Sequence, residues 1–376
     1  MLVEELDFDL PPELIAQRPV LPRDACRLMH LTRDGGLRHL HFRDLPNLLR
    51  PGDLLVLNDS RVLPARVNVR KSTGGRVELL FLRQLPGELP EVTNCSESEQ
   101  KGRQGERWET LAHPSSRLRP GLELFLPGGE PLRLVERQGQ GRWIVEAPPG
   151  GDVVNLLETY GLMPLPPYIK TYPEDPTVYQ TVYAAQPGSA AAPTAGLHFT
   201  AELLERLKEV GVRIVCVTLH VGLDTFLPIR EKRVEDHRIH SENYSVSKEA
   251  LSTIKDARSQ GARIVAVGTT VVRVLETVAR AGHLADSAPI SDLRGSADLY
   301  ITPGYHFTAV DMMLTNLHLP RSTVLALTMA FAGVERLREA YAEAVRERYR
   351  FFSFGDAMLI EKLDEPRTKE ARDADS

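Results

Sequence analysis

Two stretches with the same order of parts constrain this chain most. Thr200 stands before the amphipathic AELLERLKEV, Gly211 ends it, and the β-branched run VRIVCVTL follows. Ser247 stands before KEALSTIKDARSQ, Gly261 ends it, and ARIVAV follows. A hydroxyl residue that caps a helix start, a glycine that stops the helix and a short buried strand, twice over, predict an α/β layer. DLLVLN at 53–58 is another apolar run of the buried-strand type, and DVVNLLETYG predicts a short helix ending at Gly161. DLYIT and VDMML predict two more strands. A helix is expected after Pro320-Arg321-Ser322, then a long amphipathic helix through VERLREAYAEAVRERY.

Between about Leu63 and Pro148 the period is different. ARVNVR, GRVELLFL, ERWETLAH, GLELFLPGG, EPLRLVE and RWIVEA partly alternate polar and apolar residues, with Gly, Pro and polar turns between them. Short strands at this spacing predict a small antiparallel barrel or sandwich. The stretch 94–107 has no apolar side chain beyond Cys95 and is expected to be a long hairpin loop. The expected fold class is therefore α/β: a large layered α/β domain, built discontinuously from 1–62 and 150–376, with a small antiparallel β-barrel inserted over 63–149.

Composition narrows the function. With 46 Lys+Arg against 51 Asp+Glu the net charge is −5, so a nucleic-acid partner needs a local patch. Three cysteines with no CxxC argue against a disulfide framework and a zinc ribbon, and fit a reducing cytosol. The opening MLVEELDFD is acidic where a signal peptide is basic. The longest apolar stretch, Val324 to Gly333, is far short of the ~20 residues of a membrane span. A cytoplasmic protein is the expectation.

Ligands of open α/β sheets bind beyond the carboxyl ends of the strands. Those ends carry unusual residues here: His220-Val221-Gly222, Gly268-Thr269-Thr270 and Thr315-Asn316-Leu317-His318, with the loop Pro193-Thr194-Ala195-Gly196-Leu197-His198 before the first helix. The Gly268-Thr269-Thr270 helix start suits a carboxylate or phosphate, and the plainer alternative is a threonine capping its own helix. Arg273, one turn in, favours an anion unless it pairs with Glu276. His198 and His220 suit acid–base work because imidazole titrates near neutrality; the alternative is a packing role. No HExxH is present, and His237 and His240 have no third ligand at a fixed offset, so no metal is expected. GxxxxGK[ST] is absent, and no GxGxxG follows a strand. Arg61, Arg66, Arg70, Lys71, Arg76 and Arg83 against Glu78 form a basic run, readable as phosphate contacts or as a solvated strand face.

Longer strings carry a resemblance. LNDSRVLPAR (57–66), YQTVYAAQPGSAAAPTAGLHFT (179–200), TLHVGLDTF (218–226), HRIHSENY (237–244), AVGTTVVRVLET (266–277), TPGYHF (302–307), TNLHLPRST (315–323) and YRFFSFGDAMLI (349–360) occur in order, after FDLPPELIAQRP (8–19). The chain resembles the S-adenosylmethionine:tRNA ribosyltransferase-isomerases of queuosine biosynthesis over nearly its whole length. Leu223-Asp224 in place of Ala-Gly, Val271 in place of Ser and Leu317 in place of Phe depart from the family strings.

The resemblance implies an α/β domain of unusual sheet topology with an inserted six-stranded barrel, in a bacterial cytosolic enzyme. It implies transfer of the ribosyl part of S-adenosylmethionine to 7-aminomethyl-7-deazaguanine at the wobble position of the tRNAs for Asp, Asn, His and Tyr. The ribose is isomerised to give epoxyqueuosine-tRNA, and adenine and methionine leave. S-adenosylmethionine is consumed as the ribosyl donor, so no cofactor is expected, and the chain is expected to act as a monomer. A sulfonium acidifies the neighbouring C5′ protons, so a general base must reach one of them. His198, His220 and Asp224 are the catalytic candidates, with His198 favoured as base. Pro193, Thr194, Ala195, Gly196, Gly222, Gly268, Thr269, Thr270, Arg273, Asn316 and His318 are candidates for binding S-adenosylmethionine. Arg61, Arg66, Arg70, Lys71 and Arg76 are candidates for tRNA. A tRNA-binding protein without catalysis, or a metal-dependent hydrolase, are the alternatives.

Overall fold

The computed structural model describes residues 1–85, 105–222, 228–239 and 241–363. An antiparallel hairpin, β1 (Arg27–Leu31) and β2 (Leu37–His41), precedes β3 (Leu54–Asn58) and the short β4 (Ser60–Val62). Six strands follow: β5 (Arg66–Lys71), β6 (Arg76–Gln84), β7 (Arg107–His113), β8 (Glu123–Phe125), β9 (Pro131–Gly139) and β10 (Arg142–Glu146). Helix α1 (Val153–Tyr160) and β11 (Gln186–Ser189) lead to α2 (Ala201–Glu209), β12 (Arg213–Leu219), β13 (Glu242–Val246), α3 (Lys248–Ser259) and β14 (Ile264–Val267). The chain continues through α4 (Thr269–Arg280), β15 (Leu293–Ala297), β16 (Met312–Asn316), α5 (Thr323–Ala332), α6 (Val334–Arg346) and β17 (Ala357–Glu361).

Nine strands form one mixed sheet in the order β15-β13-β12-β3-β14-β16-β17-β1-β2. Its centre, β12-β3-β14-β16, is parallel. All five residues of β3 are buried, as expected of a strand covered on both faces. Leu54 and Val56 point into a core shared with α3, α4, α5 and α6. Leu55 and Leu57 point into a second core, shared with Phe42, Leu45 and the Leu203 and Leu207 face of α2. The anticipated caps hold: Thr200 accepts from the Leu203 N–H and Ser247 from the Ala250 N–H, each at 3.1 Å. Each such cap stabilises its helix by about 1 kcal/mol.

The insert is a closed antiparallel barrel in the order β10-β7-β6-β5-β8-β9. Along β5 the valines Val67 and Val69 face inward while Asn68 and Arg70 face solvent, which is the period-2 pattern of the sequence. Trp143, Phe81, Leu79, Leu132 and Leu134 fill the interior, so it is a packed core and not a channel. Helix α1, grouped on sequence with the α/β part, packs Val153 and Leu157 into this barrel core. The parallel pair β4–β11 and the mutual backbone bonds of Arg66 and Leu162 tie the barrel to the rest of the chain.

One strand expectation is corrected. DLYIT (298–302) is not a strand, and the strand is the preceding Leu293–Ala297, paired antiparallel with β13. Most of the polar stretch 94–107 lies outside the described residues; its last residue, Arg107, opens β7. No helix of the described residues is long and apolar enough to cross a membrane.

Candidate active site

The carboxyl ends of β3, β12 and β14 converge on one point because Asn58 ties them together. Its side-chain oxygen accepts from the N–H groups of Ser60 and Leu219, and its amide donates to the Leu219 carbonyl and, at 3.5 Å, to Thr270 Oγ1. Helix α4 starts there. Its N-cap is Gly268 at φ +89°, a conformation that glycine adopts without strain, and no side chain caps the first turn. The self-capping alternative for the threonines therefore does not hold. Thr269 and Thr270 instead line two cavities, one on each side of the helix start.

The larger cavity, about 640 Å³, lies between the sheet and the barrel. That is within the range of sites that bury a drug-sized ligand. His220, Gly222, Glu242, Thr269, Thr270 and Arg273 form one wall; Arg83, Trp108, Glu109 and Arg142 of the barrel form another. The smaller, about 70 Å³, is lined by Pro193, Thr194, Ala195, Gly268, Thr269, Thr270, Asn316 and His318. Most of the residues singled out from sequence for S-adenosylmethionine thus surround one helix start.

His220 stands at the larger cavity. Its Nδ1 is buried without a hydrogen-bond partner among the described residues. Burial lowers its pKa below the ordinary imidazole value, so the ring is neutral at pH 7. Room for it comes from Gly188 on β11, where a Cβ would sit 3.0 Å from His220 Cε1.

His198 is placed differently from the expectation that its ring faces the crevice. It is 4% exposed, lines neither cavity, and both ring nitrogens are engaged. Nδ1 is 3.2 Å from Cys26 Sγ, and Nε2 is 2.8 Å from Asn316 Oδ1. Burial pushes its pKa down to about 4, and burial pushes the Cys26 thiol well up, so both stay neutral. The Nε2–H donates to Asn316, whose Nδ2 in turn donates to Thr194 Oγ1 at 2.9 Å. His198 therefore fixes the Asn316 amide from behind. Gly196 also serves packing: a Cβ there would lie 1.9 Å from the Tyr183 hydroxyl. His318 is 2.9 Å from Thr315 Oγ1, and burial lowers its pKa to about 3.

Arg273 does not pair with Glu276, whose carboxylate accepts from the N–H groups of Thr308 and Ala309. Arg273 is ion-paired with Glu242 on β13 and donates to the Ala297 carbonyl at 2.7 Å. The other Glu242 oxygen accepts from the Gly222 N–H at 2.8 Å. Asp224 and His240 lie outside the described residues. Among the described residues no group of three or more His, Cys, Asp or Glu is placed to hold a metal ion.

The basic run divides. Arg61 pairs with Glu158 at 2.6 Å, and Arg66 lies 4.0 Å from Glu78. Arg70 and Arg76 face each other across β5 and β6 and enter no ion pair among the described residues. Lys71 reaches the Arg117 carbonyl beside them. Arg83 is seven residues along β6 from Arg76, about 23 Å away at 3.3 Å per residue, and belongs to the cavity.

The queuosine biosynthesis protein family model matches residues 3–360. The chain belongs to this family. The S-adenosylmethionine:tRNA ribosyltransferase-isomerase of Rubrobacter xylanophilus is 53% identical, with 96% of this chain and 98% of that one covered. That of Moorella thermoacetica is 49% identical, with 96% and 100% covered. A crystal structure of S-adenosylmethionine tRNA ribosyltransferase from Thermotoga maritima has a TM-score of 0.52 at 39% identity, covering 95% of this chain and 99% of that one. The expected family and its α/β-plus-barrel fold are both borne out.

Proposed function

We propose that this chain transfers the ribosyl part of S-adenosylmethionine to the aminomethyl group of 7-aminomethyl-7-deazaguanine at the wobble position of tRNA. The ribose is isomerised to the epoxycyclopentane of epoxyqueuosine, and adenine and methionine leave. Family membership supports the reaction class. The observation that carries the mechanism is a neutral His220, with an Nδ1 that has no hydrogen-bond partner among the described residues, at a cavity that also receives the start of α4, which no side chain caps.

His220 removes the C5′ proton that the sulfonium acidifies, a task that needs an unprotonated imidazole at neutral pH. The N–H groups of Thr269 and Thr270 hold the methionine carboxylate, where the helix dipole favours negative charge. Arg273 supports that wall through Glu242 and Gly222 and leaves the carboxylate to the backbone. The Asn316 amide, oriented by His198, and Thr194 bind the ligand's polar groups from the smaller cavity. Arg70, Lys71 and Arg76 contact phosphates of the tRNA stem from the far end of the barrel. The acceptors are the tRNAs for Asp, Asn, His and Tyr, and the enzyme acts as a cytoplasmic monomer that needs no cofactor.

The test is mass spectrometry of tRNA bearing the deazaguanine precursor after incubation with this protein and S-adenosylmethionine. Epoxyqueuosine-tRNA and one equivalent of adenine are expected. Adenine-free binding of tRNA would leave a non-catalytic binder.

A further inference from the structure

His237 lines the larger cavity, as His220 and Tyr300 do. The segment that carries it is pinned: Ile229 and Val234 are buried in the core that α3 to α6 share, and the Ile229 N–H donates to the Arg321 carbonyl at 2.8 Å. Glu231 Oε2 lies 3.0 Å from His237 Nδ1, and the same oxygen accepts from the Arg230 N–H at 3.0 Å. Its own backbone N–H, and then His237, hold the Glu231 carboxyl below the ordinary carboxylate range. An ionised carboxylate only accepts, so in the neutral ring the hydrogen sits on Nδ1 and Nε2 carries the lone pair. Nε2 has no hydrogen-bond partner among the described residues. The Tyr300 ring meets the imidazole edge-on at 5.9 Å. Its hydroxyl is buried, without a hydrogen-bond partner among the described residues. Burial pushes the phenol well up, so it stays protonated. Glu235 pairs with Arg233 and the amino terminus, and Asp236 and Arg238 flank the ring in the chain with opposite charges. An imidazole oriented by a carboxylate, beside an unsatisfied hydroxyl, suits a group that has hydrogens to give.

We propose that His237, oriented by Glu231, is the base that deprotonates the aminomethyl group of the tRNA nucleotide. The proposal rests on the reading of this cavity as the place where donor and deazaguanine meet. A primary alkylamine is an ammonium at neutral pH, like a lysine with its ordinary pKa of about 10.4, and so has no lone pair to attack with. One N–H bond breaks, the electron pair stays on the amine nitrogen, and the proton goes to His237 Nε2. The Glu231 carboxylate stabilises the imidazolium so formed. The Tyr300 hydroxyl oxygen accepts a second amine hydrogen. The two histidines divide the work: His220 prepares the donor and His237 the acceptor.

The experiment follows turnover of precursor tRNA by His237→Gln from about pH 7 to about pH 9, with exchange of the C5′ hydrogens measured in parallel without tRNA. His237 is partly exposed, so the variant folds, and its thermal transition checks this. At pH 7 kcat should fall roughly a hundredfold. KM for tRNA and C5′ exchange should not change. The deficit should shrink about tenfold per pH unit, as the medium deprotonates more of the amine. Glu231→Gln should show a smaller loss with the same alkaline recovery, which a carboxylate that only pins the loop would not produce. Wild-type kcat in His237→Gln at neutral pH, or a deficit that does not shrink with pH, overturns the proposal. Loss of C5′ exchange overturns it too, since the ring would then act on the donor. If the wild-type protein forms no epoxyqueuosine, the functional reading of the cavity falls and the proposal with it.

Discussion

Arg273 reaches across from α4 to the Glu242 carboxylate on β13, and this buried pair also grips the Gly222 backbone through the second Glu242 oxygen. The positive charge one turn into the helix is thus already neutralised within the protein. Arg273→Ala removes the arginine from a buried ion pair and should cost about 3–5 kcal/mol of stability by denaturant unfolding. The double variant with Glu242→Gln should cost less than the two single changes combined. If α4 backbone N–H groups hold the methionine carboxylate, the folded Arg273→Lys variant should weaken S-adenosylmethionine and its decarboxylated analogue alike. Selective weakening of S-adenosylmethionine would return the carboxylate to Arg273.

His220→Ala should abolish exchange of the C5′ hydrogens in deuterated water while still binding S-adenosylmethionine. In the wild type, burial lowers the His220 pKa, so exchange should fall as the pH drops, with its midpoint below the ordinary imidazole value of about 6.5. A midpoint at or above 6.5, or near-normal exchange in the variant at saturating ligand, would remove His220 as the base.

His198 and His318 are held neutral, with pKa values near 4 and 3. A depressed folded-state pKa on a base means that the unfolded chain takes up protons first. Stability should therefore be flat above pH 6.5 and decline from there toward pH 4. Each ring loses about 1.36 kcal/mol per pH unit, roughly 2 kcal/mol at pH 5. His318→Gln should remove its share of that slope in unfolding titrations. An unchanged slope would mean that the ring titrates alike folded and unfolded.

Gly196→Ala should destabilise by about 1–3 kcal/mol, because its methyl group collides with the Tyr183 hydroxyl. That hydroxyl is buried without a hydrogen-bond partner among the described residues. Tyr183→Phe should therefore restore part of the loss. No rescue in thermal unfolding would show that the glycine serves the backbone and not its neighbour.

Replacing Arg70, Lys71 and Arg76 together by Ala should lower the salt slope of tRNA binding by up to about 3. Turnover at saturating tRNA should not change, since these residues stand some 20 Å or more from the cavity. An unchanged slope would make this end of the barrel a solvated face.

The fold was legible where local pattern and tertiary role agree. Thr200 and Ser247 cap as their sequence offsets suggest, and the six barrel strands alternate visibly. Leu293–Ala297 was not legible: LRGSA has a central glycine and little apolar character, and only pairing with β13 makes it a strand. In the site, glycines and threonines at strand ends were visible, but partners distant in sequence were not. Nothing in spacing brings Glu242 to Arg273, Cys26 to His198 or Glu109 to Arg83 and Arg142. The histidine beside the Gly-containing loop looked the more accessible, yet Asn316 and Cys26 enclose it, and the ring at the end of β12 faces the cavity.

Strand β3 sits at the middle of the sheet but is made almost first. Its neighbours β12 and β14 are synthesised much later, Arg213 being 155 positions after Asn58. At about 5–20 residues per second, this wholly buried strand waits roughly 8–30 s on the ribosome for its first partner. The barrel, whose strands pair mostly with near neighbours, is complete within that interval. Nascent chains arrested once residue 170 has emerged should resist protease across the barrel and be cut at 54–58. Early protection of that strand would mean that something other than the sheet shelters it while the chain is being made.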